Sequence, residues 1–128
     1  MEERSRILAI DDDPMVLMQI ADMLSPTYNL QLAKSATDAE KLIPQNKPDI
    51  ILLDIQMPGI SGFQFLQKLK KDPAYKDIPV IIVSGHIEIE FIIIAEQNGA
   101  SSVVAKPVKK DELLKKIETA LEQRSTGK

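Results

Sequence analysis

The chain has 128 residues, apolar residues make up 44% of it, and 16 Lys plus Arg against 19 Asp plus Glu give a formal net charge of −3. This length fits one domain, and with no Cys and a single His the chain cannot form disulfides or thiolate metal sites and is a poor candidate for a Ser–His–Asp triad. The mild acidity argues against direct nucleic-acid binding, and the lack of a signal peptide or a long apolar span predicts a cytoplasmic protein without membrane association.

Five short apolar runs have the character of buried parallel strands, which are covered by helices on both faces. They are residues 7–10, 30–33, 50–53, 80–83 and 103–105. Between them the apolar residues recur with a helical period. Since strands and helices alternate five times, we predict an α/β domain with one parallel sheet and helices on both faces. Ligands of such sheets bind beyond the carboxyl ends of the strands.

The first two helices have recognisable boundaries in the sequence. The first is predicted to begin after Asp13, which can cap it, with Pro14 at its first position. Pro26 is expected to end that helix. The second is predicted to be capped by Ser35 and interrupted by Pro44, because proline lacks the N–H that a helix interior requires.

The third and fifth helices are predicted to begin near Ser61 and Asp111, and the third to end before Asp72. The last residues, 123–128, form a polar tail that is expected to fray from residue 124. The predicted domain therefore comprises residues 1–128, with its core at about residues 6–122 and no further folded module.

Residues 87–98 are the ambiguous segment between the last two strands. Residues 87–90 alternate like a strand, whereas the run that follows breaks the alternation and precedes Gly99, at a good position for a helix C-cap. We predict a helix whose apolar residues surround most of its circumference. Such a helix cannot bury all its Ile residues against one sheet, which favours an exposed apolar patch of the kind that usually marks a partner surface; the alternative is deep burial by neighbouring loops.

Three carboxylates follow the first strand and a fourth ends the third strand. Because the carboxyl ends of parallel strands meet at one edge, Asp11, Asp12 and Asp54 are expected to converge there. Clustered carboxylates repel, and Mg²⁺, which prefers oxygen ligands, would remove that repulsion. Asp12 and Asp54 are candidates for direct ligands, with Asp11 acting through water. The alternative is that the acidic run only caps the first helix, a role for which Asp13 is best placed.

Asp54 could also act as a nucleophile that forms an aspartyl phosphate. Ser84, after the fourth strand, could donate its hydroxyl hydrogen to a phosphoryl oxygen, and Lys106, after the fifth, could supply a cation. Magnesium, a lysine and a hydroxyl around one attacking oxygen are what phosphoryl transfer requires. Taken singly, each has an ordinary alternative: a turn residue before Pro58 for Asp54, a cap for Ser84 and a solvated side chain for Lys106.

Five motifs together resemble the receiver domain of bacterial two-component response regulators, including its stand-alone chemotaxis members. The matching segments are residues 7–14, 49–62, 79–85, 99–100 and 106–107. They occur in the family's order and spacing and cover nearly the whole chain. The resemblance implies the flavodoxin-like, doubly wound sheet with strand order 2-1-3-4-5.

The resemblance also implies site roles. Asp54 matches the phosphoacceptor, which takes a phosphoryl group from a sensor histidine kinase or a histidine phosphotransfer protein and later loses it by hydrolysis. Asp11 and Asp12 match the acidic pair that binds Mg²⁺ together with Asp54, and the backbone carbonyl of Gln56 completes the protein ligands. The chain would therefore be a signalling phosphoacceptor rather than an enzyme.

Ser84 and Lys106 match the family's switch hydroxyl and phosphoryl-binding lysine, and the family's Lys–Pro bond is often cis. The resemblance implies that the fourth helix, fifth strand and fifth helix form the face for a downstream protein or a second copy. Two positions depart from the family, since Val103 replaces the usual Tyr or Phe of the fifth strand and Val108 a common Phe. Coupling between phosphorylation and that face is therefore expected to differ here.

Gln56 and His86 occupy rim positions where the family varies, and we expect both to tune the phosphoryl lifetime; the alternative for His86 is an ordinary loop residue. Three other classes of protein fit the sequence less well. A haloacid-dehalogenase-type phosphatase would need an Asp where Gln56 stands. A flavodoxin would need a Ser/Thr/Gly-rich loop where Asp11 to Asp13 stand. A receiver-like module that is not phosphorylated is disfavoured by the intact Asp54 and Lys106.

Overall fold

The computed structural model describes residues 4–55, 62–85 and 88–126, in which strands and helices alternate. In chain order the elements are β1 (Arg6–Ile10), α1 (Pro14–Leu24), β2 (Asn29–Ala33), α2 (Ala36–Gln45), β3 (Ile50–Asp54), α3 (Gly62–Lys71), β4 (Val80–Ser84), α4 (Ile89–Gln97), β5 (Ser102–Ala105) and α5 (Lys110–Thr126). Among these described helices, none combines the length and the apolar character needed to cross a bilayer.

The five strands form one parallel sheet in the order β2-β1-β3-β4-β5. This confirms both the predicted α/β class and the order 2-1-3-4-5. The register decides what meets at the carboxyl edge. Ile10 lies beside Leu53, so Asp11 and Asp54, the next residues of their chains, come level with each other. Ser84 lies beside Ala105, which brings Lys106 to the same edge.

Two apolar layers cover the two faces of the sheet. One layer joins alternate strand residues such as Ile51 and Leu53 to Phe65 of α3 and Ala95 of α4. The other joins Ile50 and the strand residues on the same face of the sheet to α1 and α5. All residues of β3 and β4 are buried, which explains why these strands read as uninterrupted apolar runs. The edge strand β2 is more exposed, as its mixed sequence predicted.

Both predicted N-caps form. The Asp13 carboxylate accepts a hydrogen bond from the backbone N–H of Met15 at 2.9 Å. The Ser35 hydroxyl accepts one from the N–H of Asp38 at 3.1 Å. Each cap satisfies one of the backbone donors that a helix leaves unpaired in its first turn.

The sequence placed one helix end wrongly. Pro44 does not interrupt α2, which continues to Gln45, because Pro44 stands in the last turn and the N–H of Asn46 still reaches Leu42 O at 3.1 Å. Helix α5 extends to Thr126, and the expected fraying of the tail stays a prediction. No Gly or Pro occurs in α5 before Gly127, so nothing in the sequence breaks the backbone hydrogen bonds of the helix earlier.

Helix α4 confirms the helical interpretation of the ambiguous segment, although it begins at Ile89 and position 87 lies outside the described residues. Gly99 follows with φ of 103°, a conformation that side chains rarely adopt, and thus ends the helix as predicted. Only Ala95 of α4 is buried. Ile89 is 76% exposed, and Ile93 and Ile94 are 47% and 46% exposed, so the apolar patch is open rather than covered.

Candidate functional site

Three carboxylates gather at the carboxyl edge of the sheet. Asp11, Asp12 and Asp54 each offer an oxygen, and these oxygens lie within 4.8 Å of one another. Asp11 and Asp54 are only 2% and 3% exposed, whereas Asp12 is open to solvent. The cluster is therefore enclosed by protein on one side and accessible to solvent on the other. All of its potential ligand atoms are oxygens, which a hard divalent cation prefers.

Lys106 is the cation that faces this cluster among the described residues. Its Nζ lies 3.0 Å from Asp11 Oδ2 and 3.5 Å from Asp54 Oδ1. The peptide bond between Lys106 and Pro107 is cis, as the resemblance suggested. Burial by itself would lower the pKa of Lys106, but its contacts with Asp11 and then Asp54 outweigh that effect and raise the pKa. The ammonium therefore stays charged at neutral pH.

One oxygen of Asp11 is left without a hydrogen bond. Asp11 Oδ1 accepts the backbone N–H of Asp13 at 2.9 Å, while the buried Oδ2 accepts no hydrogen bond from the described residues. Its contact with Lys106 Nζ, at 3.0 Å, is an ion pair. The lone pairs that this contact leaves open could coordinate a bound cation directly or through water. The residues present fit a metal site.

The three consecutive aspartates divide their tasks. Asp11 is buried and joins the metal cluster, Asp12 is exposed and joins it from the solvent side, and Asp13 caps α1 outside the cluster. The predicted cap is therefore confirmed for Asp13, while metal binding by Asp11 and Asp12 stays a prediction that their geometry fits.

The other predicted site residues fall into two groups. Ser84 ends β4, is 1% exposed, and its carbonyl accepts the N–H of Lys106 at 2.9 Å. Val103 is half-buried in β5 and packs against the core layer beneath α3 and α4. Gln56 and His86 lie outside the described residues, so their predicted roles stay predictions.

Gly62 is a residue of the site that the sequence reasoning missed. Its N–H donates to Ile55 O at 3.0 Å, and a Cβ on it would lie 2.5 Å from Ile55 Cα and 2.7 Å from Asp54 O. No side chain fits in that space, so the first residue of α3 rests directly on the end of β3. A glycine near the predicted start of a helix indicated a position with a special requirement. The sequence could not show that the reason is a close approach of two backbones.

Comparison with known sequences gives one consistent family. The model of the response regulator receiver domain matches residues 7–118. The protein PilH of Pseudomonas aeruginosa is 36% identical over 118 residues, which cover 91% of this chain and 98% of PilH. The transcriptional regulatory protein KdpE of Staphylococcus aureus is 37% identical over 89% of this chain. The chain spans about half of KdpE, 48% of its length.

Solved structures agree with the sequences. A CheY-like response regulator receiver domain protein of Methanospirillum hungatei superposes with a TM-score of 0.89 at 27% identity, covering 98% of this chain and all of the other. The receiver domain of NtrX from Brucella abortus gives 0.83 at 33% identity, covering 91% of this chain and 98% of the other.

We predict that Asp12→Asn weakens Mg²⁺ binding by at least about tenfold, because it removes one of the clustered charges. A unit charge at about 4 Å contributes roughly 4 kcal/mol near a protein surface, and each 1.4 kcal/mol is tenfold. Isothermal titration calorimetry with Mg²⁺ measures this. The matched control is Asp13→Asn, which removes the neighbouring charge and keeps a capping side chain. Equal losses in both variants would contradict a specific metal site.

Proposed function

Because the chain belongs to the response regulator receiver domains of two-component systems, we propose that it is a phosphoacceptor switch with Asp54 as the phosphorylated residue. One observation carries the proposal: the Asp54 carboxylate is clustered with the buried Asp11 and the exposed Asp12 and lies 3.5 Å from the Lys106 ammonium. The unit that performs this role is one receiver domain over residues 1–128.

The donor in this proposal is a phosphohistidine on a sensor histidine kinase or a histidine phosphotransfer protein. A carboxylate oxygen of Asp54 attacks the phosphorus, the P–N bond breaks, and its electron pair returns to the imidazole. Asp12 is exposed, so the cluster is open to a protein donor, and we propose that the exposed Met15 and Met18 of the adjoining α1 contribute to the docking surface. The product is an acyl phosphate, which water hydrolyses to regenerate Asp54.

Charge neutralisation at the cluster is the chemical requirement of this step. Mg²⁺, held by Asp11, Asp12, Asp54 and the carbonyl of Gln56, would supply most of it. Lys106 would supply the rest, since its ammonium lies close to both Asp11 and Asp54. Charged groups held in place in this way are preorganised for the charge of an incoming phosphoryl group.

In this proposal Lys106 and Ser84 couple the phosphorylation of Asp54 to a shift of the ends of β4 and β5. Phosphorylation converts the Asp54 carboxylate into a phosphoryl dianion, so the Lys106 ammonium exchanges a carboxylate partner for a more strongly charged one farther along the site. The Ser84 hydroxyl donates to another phosphoryl oxygen. Because the Lys106 N–H is bonded to Ser84 O at 2.9 Å, the ends of β4 and β5 shift together, and the charge event reaches the surface.

The proposed output is a protein contact in the cytoplasm. The exposed Ile89, Ile93 and Ile94 of α4 support the face formed by α4, β5 and α5 as the place where a downstream protein or a second copy binds. The chain acts there as a signalling phosphoacceptor, assisting its own phosphorylation and dephosphorylation rather than turning over an external substrate. Neither nucleic acid nor a membrane is a direct partner in this proposal.

Incubation with Mg²⁺ and acetyl phosphate is expected to add the mass of one phosphoryl group to the intact protein and none to Asp54→Asn, because an amide is too weak a nucleophile. Asp13→Asn, altered beside the site but outside the cluster, should retain the mass increase. An unmodified wild-type protein would indicate a receiver-like module that is not phosphorylated. Modification of Asp54→Asn would move the phosphoacceptor elsewhere.

Gln56→Ala and His86→Ala are expected to change the rate of dephosphorylation, because the family resemblance assigns both to variable rim positions, which we propose control the access of water to the acyl phosphate. The decay of the phosphorylated mass after removal of acetyl phosphate measures the lifetime. Gln45→Ala, at the end of α2, is the control for loss of a polar side chain. Rates equal to the wild-type rate in both rim variants would refute the role in tuning.

Phosphorylation is expected to promote self-association if the α4 patch binds a second copy. Sedimentation equilibrium with and without acetyl phosphate measures it, and Ile93→Lys should abolish any association by placing a charge in the apolar contact. A protein that remains monomeric at high concentration in both states would leave a downstream protein as the occupant of this face and exclude a second copy.

A further inference from the structure

Helix α4 is attached weakly to the rest of the domain. Of its nine residues only Ala95 is buried, so few apolar contacts hold the helix in one position. For an element with so little buried surface, the free-energy difference between two positions is small. The contacts that it does make along its length therefore decide where it lies.

Helix α3 makes one contact with α4 itself and two with the residues that directly follow α4, all from one face of α3. The rings of Phe63 and Phe91 have centroids 5.5 Å apart at an interplanar angle of 50°. Gln67 Nε2 donates to Asn98 Oδ1 at 2.7 Å. The stem of Lys70 lies against Gly99, where a Cβ would be 2.8 Å from Lys70 Cγ. Phe63, Gln67 and Lys70 recur at spacings of four and three, so they lie on one stripe of α3.

The same helix is attached at its first residue to the phosphoacceptor strand. Gly62 contacts the backbone of Asp54 and Ile55, with its N–H bonded to Ile55 O at 3.0 Å. Phe63 follows immediately. A displacement at the end of β3 therefore has a short physical route to Phe91, through backbone contact and then through one aromatic pair.

Strand β5 has no aromatic residue that could couple the site to α4 by a second route. Val103 is half-buried and packs against the same apolar layer as Phe63 and Phe91. Its branched side chain has one χ angle and no ring, so it offers little surface that can switch between two positions. The largest side chains joining the site to α4 in the described residues are thus Phe63 and Phe91.

We propose that the Phe63–Phe91 pair transmits the phosphorylation state of Asp54 to α4, acting as a pair of positioning residues outside the chemistry. Phosphorylation shifts the end of β3, Gly62 moves the first turn of α3, and the Phe63 ring displaces Phe91 and with it the exposed isoleucines of α4. This inference rests on the proposed function of Asp54. In this proposal α3, rather than β5, couples Asp54 to α4.

The experiment uses a reporter on α4 and a separate measure of chemistry. The chain has no Cys, so Ile89→Cys, at a position 76% exposed, gives one site for an environment-sensitive fluorophore. Acetyl phosphate with Mg²⁺ phosphorylates the labelled protein, and intact mass gives the phosphorylated fraction. The fluorescence change is then expressed per phosphorylated molecule.

In this background Phe63→Leu and Phe91→Leu are expected to leave the phosphorylation rate unchanged and to reduce the ratio of shifted to unshifted α4 by about two- to tenfold, the value of one aromatic pair. The double variant should show the same reduced fluorescence response as either single variant, because both substitutions break the same contact. Phe91→Tyr keeps the ring and should restore the response. Ile94→Leu, on the same helix but outside the α3 contact, is the matched control.

An undiminished response in both leucine variants, or the same reduction in Ile94→Leu, would overturn the coupling route. A slower phosphorylation in the leucine variants would also overturn it, since the pair would then act on the chemistry. If the labelled background is not phosphorylated at all, the proposed function of Asp54 fails and the inference fails with it. Failure at that first step is distinguished from failure of the route by the intact mass.

Discussion

The structure depends on one shared ion pair. Lys106 is the cation that contacts both Asp11 and Asp54, two carboxylates buried at the carboxyl edge of the sheet, with Asp12 adding a third negative charge. One ammonium cannot neutralise three carboxylates, so the site retains an excess of negative charge that favours binding of a cation. Anything that redistributes charge there changes the partner of Lys106, and this lysine is fixed to β4 through the hydrogen bond to Ser84.

The parallel register converts separate strand ends into that site. Asp11, Asp54 and Lys106 are far apart in the sequence, yet pairing of β1 with β3 and of β4 with β5 brings them to one edge. Each strand contributes one kind of group, and the buried, rigid strands hold these groups in place while the loops beyond them remain free to vary. This arrangement explains how a fold with an ordinary apolar core supports charge chemistry at a single edge.

Much of this could be predicted from the sequence because the signals were local. Apolar runs and helical periods identified the strands and helices, and Asp13 and Ser35 had the side chains of caps. Pro44 was misleading because the effect of a proline depends on its distance from the helix end, which periodicity locates only approximately. The pairing of Lys106 with Asp11 was not predictable, since a long side chain selects among neighbours only after the fold is formed. The exposed patch on α4 was predictable, because a helix that is apolar on all sides cannot bury every side chain against one sheet.

The contact at Gly62 has a mechanical consequence. Between most helices and strands lie side chains with several rotamers, which can absorb a small displacement by rearranging. At this point backbone meets backbone, with Gly62 against Ile55 Cα and Asp54 O, and close-packed atoms of this kind are nearly incompressible. Because no flexible side chain lies between them at this contact, a movement at the end of β3 is expected to pass to the first turn of α3 with little damping. If the proposed route to α4 operates, any loss of displacement occurs farther on, at contacts made by flexible side chains.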